Sequence, residues 1–94
     1  MTAQTSDSEE LLRRAGGGDE PARQQLLARY RDRLRRMVAV HLDPRLAARL
    51  DPSDVVQDAL LDAAGKLSHY LRTRPVPFYP WLRRLAWEHL VKLH

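Results

Sequence analysis

Four aspartates, Asp51, Asp54, Asp58 and Asp62, recur at intervals of three and four residues, a spacing that places Asp54, Asp58 and Asp62 along one helix face. Carboxylates in such a row suit a hard divalent cation such as magnesium or manganese. No second carboxylate cluster faces them elsewhere in the sequence, however, and no phosphate-binding glycine loop occurs. Asp51 and Asp54 also have a purely local use, as a helix cap and a first-turn acid. A docking face is the stronger functional reading. Asp54, Gln57, Asp58 and Leu61 make a mixed polar and apolar strip that arginines on a partner helix would complement.

The second constellation runs from Phe78 to His89. Four of the six aromatic residues (Phe78, Tyr79, Trp81 and Trp87) fall within ten positions, interleaved with Arg83 and Arg84 and preceded by Arg72 and Arg74. Aromatic faces stack on unpaired bases while guanidinium groups meet phosphates, which is how a single strand is held without a duplex groove. The plainer reading makes Phe78, Trp81 and Leu85 core, and steps of three and four favour it for Trp81 and Leu85. Trp87 lies off that face and is the better candidate for an exposed aromatic.

The remaining polar residues form no catalytic set. His89 and His94 are five apart, a poor spacing for a metal pair, and His41 reads as a histidine at a core edge or helix end. Ser8, Ser53 and Ser68 sit near expected helix ends, as caps and not nucleophiles. Neither an enzyme, nor a metal, nor a cofactor is expected.

These residues need helices to position them, and helical spacing dominates the chain. A first short helix is expected to start after Ser6 or Asp7, with Glu9 and Glu10 in its first turn and Leu11, Leu12 and Ala15 as its apolar edge. The glycines Gly16 to Gly18 stop it. Asp19 caps a long second helix, on which Leu27, Tyr30, Leu34, Met37, Val38 and His41 form one face while Arg29, Arg33 and Arg36 occupy others. Asp43-Pro44 ends it and begins a short turn through Leu50. Asp51-Pro52 repeats the stop-and-start signal for a third helix reaching about Leu71, with Val56, Leu60, Ala63 and Leu67 buried and Gly65 a weak point. Arg72 to Pro77, with two prolines, reads as an extended loop. A last helix opens around Phe78 to Pro80 and is still helical in pattern at His94, as expected of a piece of a longer protein. The fold class is therefore all-α, a compact bundle of about four helices.

Ninety-four residues make one domain, with roughly 60–65% of the extended-chain surface buried. Without cysteine there is no disulfide framework, zinc finger or thiol nucleophile. The acidic N-terminus carries no signal peptide, and no apolar stretch approaches the ~20 residues of a membrane span, so a cytoplasmic protein with no membrane partner is expected. The net charge of +4 is unevenly placed. Residues 1–19 carry −2, 20–50 carry +5, 51–67 carry −3 and 68–94 carry +4. An acidic segment between basic ones fits partners of two kinds, although a well-solvated helical surface would look much the same.

The order of these segments resembles region 2 of the sigma-70 family, in its extracytoplasmic-function branch. Four stretches carry the resemblance: Glu10 to Ala15 with Gly18-Asp19-Glu20; Leu26 to Leu34; Asp54-Val55-Val56-Gln57-Asp58-Ala59-Leu60-Leu61, similar to the family's D-[LV]-V-Q-[DE]; and Phe78 to Ala86, similar to F-x-x-W-L-x-x-I-A. The likeness covers essentially the whole chain. It implies a transcription-initiation module, in which Asp54, Gln57, Asp58 and Leu61 dock on the clamp helices of the RNA polymerase beta-prime subunit. It implies that Ser68 to Pro77, Arg72 and Arg74 included, pocket a flipped base of the promoter −10 element. Phe78 and Trp81 would open the strand-separating helix, with Arg83, Arg84, Trp87 and Lys92 tracking the single-stranded non-template strand. Members of the family are commonly held by an anti-sigma factor, a further partner the resemblance implies. The family's helix-turn-helix domain, which reads duplex DNA, has no counterpart in this stretch, so weak DNA binding is expected. Glu88 stands where the family commonly has Asn, Lys92 where it often has Asp, and Pro75-Val76-Pro77 is an unusual loop spacing; base specificity is not carried over.

Two other classes compete. A helical protein-interaction adaptor would use the acidic third helix and no DNA, and would be indifferent to charge reversal at Arg83 and Arg84. A small metal-dependent enzyme would use the aspartate row and would bind a divalent cation measurable by calorimetry.

Overall fold

The computed structural model describes the backbone of residues 2–94 and the side chains of residues 8–94. Six helices follow one another: α1 (Thr2–Gly16), α2 (Glu20–Arg29), α3 (Arg31–His41), α4 (Pro44–Ala47), α5 (Pro52–Thr73) and α6 (Phe78–Leu93). No strand occurs among the described residues. The all-α class stands, with two more segments than the expected four because α4 is a separate short turn and the long second helix is broken.

Three helix starts follow from one local device. Asp19, Asp43 and Asp51 each have backbone outside the helix, and each carboxylate accepts a hydrogen bond from an N–H two or three residues on: Ala22 at 3.1 Å, Arg45 at 2.8 Å and Ser53 at 2.9 Å. Proline follows in the first turn of all three, where its missing N–H leaves nothing unsatisfied. Between α1 and α2, Gly18 sits at φ +93°, a conformation open to glycine at no steric cost. Arg14 closes that turn by donating from Nε to Asp19 Oδ2 at 3.0 Å. The Ala22 backbone bond and the Arg14 bond hold the Asp19 carboxyl below its ordinary range.

Three boundaries differ from the sequence expectation. Helix α1 begins at Thr2, earlier than Ser6 or Asp7, and any capping by those two side chains lies outside the described residues. The expected single helix over α2 and α3 breaks at Tyr30, whose φ −102°, ψ 2° lies between helical and extended backbone. Tertiary contacts hold Tyr30 there: its hydroxyl lies 2.9 Å from Ser8 Oγ, and its ring meets Phe78 and Tyr79 at 5.6 and 5.7 Å. Helix α5 runs to Thr73, past Leu71, and ends at Arg74 in a left-handed conformation (φ 41°, ψ 56°). The loop is thus Arg74 to Pro77: Arg72 and Thr73, expected in it, are helical, and so are Ser68 to Leu71, which the resemblance alone placed in the base-capturing segment. Packing of Tyr70 holds those last turns in place.

Helix α5 is the spine and contacts α1, α2, α3 and α6. Val56, Leu60, Ala63 and Leu67 are buried as expected, joined by Val55, Ala59 and Tyr70. The other helices turn leucine-rich faces onto it, led by Leu12, Leu26, Leu34, Leu82 and Leu90. Burying each such side chain contributes about 1.5–3 kcal/mol relative to leaving it in water. On the α3 face Leu34 and Val38 are buried and Met37 half-buried, while His41 is exposed at the helix end, its Nδ1 2.9 Å from the Met37 carbonyl.

Candidate nucleic-acid interface and docking face

The acidic face lies on the first half of α5. Asp54, Gln57 and Asp58 are exposed and Leu61 keeps 62% of its surface in solvent. Val56 and Leu60 behind this strip are buried, so the strip has rigid support. Gln57 Oε1 accepts from Arg31 Nη1 of α3 at 3.1 Å. Asp54 and Asp58 have no ion-pair partner among the described residues.

Asp62 leaves this row. Each step of four residues turns about 40° around a helix, so the row drifts until Asp62 faces α6. There its Oδ2 lies 3.2 Å from His89 Nε2 and its Oδ1 3.1 Å from Lys66 Nζ. Partial burial raises the Asp62 carboxyl, but the bonds from Lys66 and His89 outweigh it and hold the pKa below the ordinary aspartate value. No group of three or more His, Asp or Glu side chains able to hold a metal occurs among the described residues.

A pH dependence follows. Because the folded pKa lies below the unfolded one, Asp62 adds stability above the ordinary aspartate range, and that stability is lost as the pH falls through the folded value. Asp62→Asn is expected to lower stability at neutral pH by up to about 1 kcal/mol, the scale of a solvent-screened pair. Thermal melts of the two proteins should converge once the pH falls below the folded-state value, where the carboxyl is protonated in both states. A difference that stays constant across that range would show the contact is not electrostatic.

The second face is built by α3, α6 and the loop before α6. Tyr79, Arg83 and Trp87 stand four residues apart along α6. Helix α3 runs beside them in the same direction: Arg33 lies over Tyr79, with Cζ 3.8 Å from the ring centroid, and His41 meets Trp87 edge-on at 5.1 Å. Between the two helices is an open trough of about 580 Å³ lined by Arg33, Tyr79, Pro80, Arg83, Arg84 and Trp87. It continues past Tyr79 into a second concavity of about 500 Å³, which Arg29 and Arg36 line together with the acids Glu9 and Asp32.

Trp87 is 39% exposed, as its position off the core face predicts, and the Arg83 guanidinium lies 6.0 Å from its ring centroid. Arg83, Arg84 and Lys92 are exposed, with Arg84 3.8 Å from Glu88. Arg72 is exposed on the last turn of α5, and Arg74, which ends α5, lies 3.6 Å from Glu9 of α1. Phe78 differs from the role the resemblance implies. It is 5% exposed, between Tyr30 and Tyr70, so it supports the loop from inside and offers a ligand only an edge at the floor of the second concavity. Trp81 is half-buried, stacked on Tyr70 at 4.5 Å. Ser68 accepts from Arg23 at 3.0 Å, which ties it to α2 and away from any pocket.

Sequence reasoning missed Arg33 and His89 as partners. Tyr79 was legible as part of the aromatic run; the arginines of α3 offer only charge, and nothing local selects Arg33 among them.

No protein-family model, curated protein or solved structure matches the chain. Its own residues define an all-helical bundle with two faces of unlike chemistry. Arg31, touching the acidic strip, and Arg33, touching the aromatic trough, are two residues apart, about 200° around α3. The two faces therefore lie on opposite sides of that helix.

Proposed function

We propose that this chain is a sigma-70-type region 2 module, which docks on RNA polymerase through α5 and grips the single-stranded non-template strand of a promoter −10 element in the α3–α6 trough. The observation that carries the reading is the presence, on opposite sides of α3, of an acidic strip with an exposed leucine and a basic trough with an exposed tryptophan. Those faces hold the two motifs, Asp54 to Asp58 and Phe78 to Ala86, that resemble the family. Asp54, Asp58 and Leu61 complement a partner helix carrying arginine and apolar side chains, here the beta-prime clamp. Arg83, Arg84, Trp87 and Lys92 supply phosphate contacts and a stacking surface, and Arg72 and Arg74 border the loop that would receive a flipped base. The module binds and positions, with no bond-making step assigned to it, and its place is the cytoplasm beside the polymerase.

The adaptor reading has one observation in its favour: Asp54, Asp58 and Leu61 form a self-sufficient docking strip. It leaves the trough unused.

Fluorescence anisotropy with core polymerase tests the proposal. The unaltered chain is expected to bind, and Gln57→Ala/Asp58→Arg to weaken binding at least about tenfold, as expected when charge is reversed at an interface. Its affinity for single-stranded DNA should stay the same. Absence of polymerase binding by the folded, unaltered chain well into the micromolar range would overturn the assignment.

A further inference from the structure

The basic-aromatic surface is not confined to α6. Arg33 belongs to α3, and its guanidinium is seated on the Tyr79 ring, whose position is fixed from within by Tyr30, 5.7 Å away. Arg33 is exposed and lines the open trough, with no hydrogen bond or ion pair from its guanidinium to a described residue. No acid pairs with Arg33 or Arg36 among the described residues. Of the two acids in this part of the surface, Glu9 is 3.6 Å from Arg74, and Asp32 is outnumbered by the arginines around it. A long arginine side chain ordinarily loses much freedom when it orders on a ligand. Here the aromatic support has ordered it beforehand.

A planar cation held flat beside an open trough matches an unpaired base, since guanidinium planes stack on bases and their N–H edges meet phosphates. Arg36, one turn further along α3, borders the continuation of the trough where the next phosphate would pass. We propose that Arg33 is a binding residue for single-stranded DNA, its guanidinium stacking on one base while Arg36 meets a neighbouring phosphate, so that the strand lies between α3 and α6 and not on α6 alone. This rests on the nucleic-acid reading given above.

The test is anisotropy with a fluorescein-labelled single-stranded oligodeoxynucleotide of about 12 nucleotides, titrated over a range of salt concentrations. Arg33→Gln is expected to weaken binding roughly tenfold and to lower the slope of log affinity against log salt by about 0.7. Arg33→Lys keeps the charge but not the plane, so it should retain the slope and lose about threefold in affinity. Arg35→Gln makes the same charge change on the same helix, away from the trough, and should stay close to the unaltered protein. If Arg33→Gln behaves like Arg35→Gln while charge reversal on α6 abolishes binding, the role of Arg33 falls and the reading of α6 stands. If the unaltered chain binds no single strand, or prefers duplex, both fall. Should Arg33→Gln lose its helical far-ultraviolet signal, Arg33→Lys decides, and unchanged affinity there overturns the proposal.

Discussion

Tyr70→Ala is expected to destabilise the chain by about 3–5 kcal/mol, the range for removing a large aromatic side chain from a packed core. Tyr70 is 2% exposed near the end of α5, stacked on Trp81 at 4.5 Å and edge-on to Phe78 at 5.6 Å. Its hydroxyl donates to the carbonyl of Val76, so one side chain ties together the end of α5, the Arg74–Pro77 loop and the start of α6. Burial raises its pKa and keeps the phenol neutral through the working pH range. Total stability for a domain is about 5–15 kcal/mol, so the loss takes a large share of it. A melting temperature lower by about 12–40 °C should result, at 4–8 °C per kcal/mol for a domain of this size. Tyr70→Phe separates packing from hydrogen bonding and should cost only about 0.5–1.5 kcal/mol, because the Val76 carbonyl lies on an exposed loop residue and can turn to water. Melting of Tyr70→Ala within a few degrees of the unaltered chain would mean that this aromatic cluster does not organise the loop.

Charge reversal at Arg83→Glu/Arg84→Glu carries the largest effect expected on function. Each substitution removes one phosphate contact and adds a repelling charge. The slope of log affinity against log salt should fall by about 1.4, and affinity for a single strand at low salt by roughly a hundredfold or more. The fold should survive, since both residues are exposed and point away from the core. Arg84 gives up only its surface pair with Glu88 and leaves two acids four apart, a cost of a few tenths of a kcal/mol. Polymerase binding should be unchanged, because the acidic strip lies across α3 from the trough. Loss of both bindings together, with helicity intact, would refute two separable faces, and single-strand binding that ignores the reversal would leave the adaptor as the better account.

Asp19, Asp43 and Asp51, each with a proline one or two residues on, determine where three helices begin, because the carboxylate and the N–H it satisfies are two or three residues apart. The buried stripe Val56, Leu60, Ala63 and Leu67 is equally legible, since helical periodicity alone sets it. So are the exposed strip Asp54, Gln57, Asp58 and Leu61 and the exposure of Trp87, which follow from lying off that stripe and its counterpart on α6. The break at Tyr30 is another matter: its neighbours Ser8, Phe78 and Tyr79 come from distant parts of the chain. Phe78 had an aromatic's two options, stacking surface or core, and burial between Tyr30 and Tyr70 decided for core. The withdrawal of Asp62 to His89, and the seating of Arg33 on Tyr79, depend on how α5, α6 and α3 are rotated about their axes when they pack. Caps and periodicity are written within one turn of chain, whereas helix rotation and register are settled by the joint packing of all the apolar faces at once. The capped helix starts and the residue chemistry of each face thus belong to the sequence alone, and the break at Tyr30 and the pairing of α3 with α6 into one trough belong to the tertiary structure.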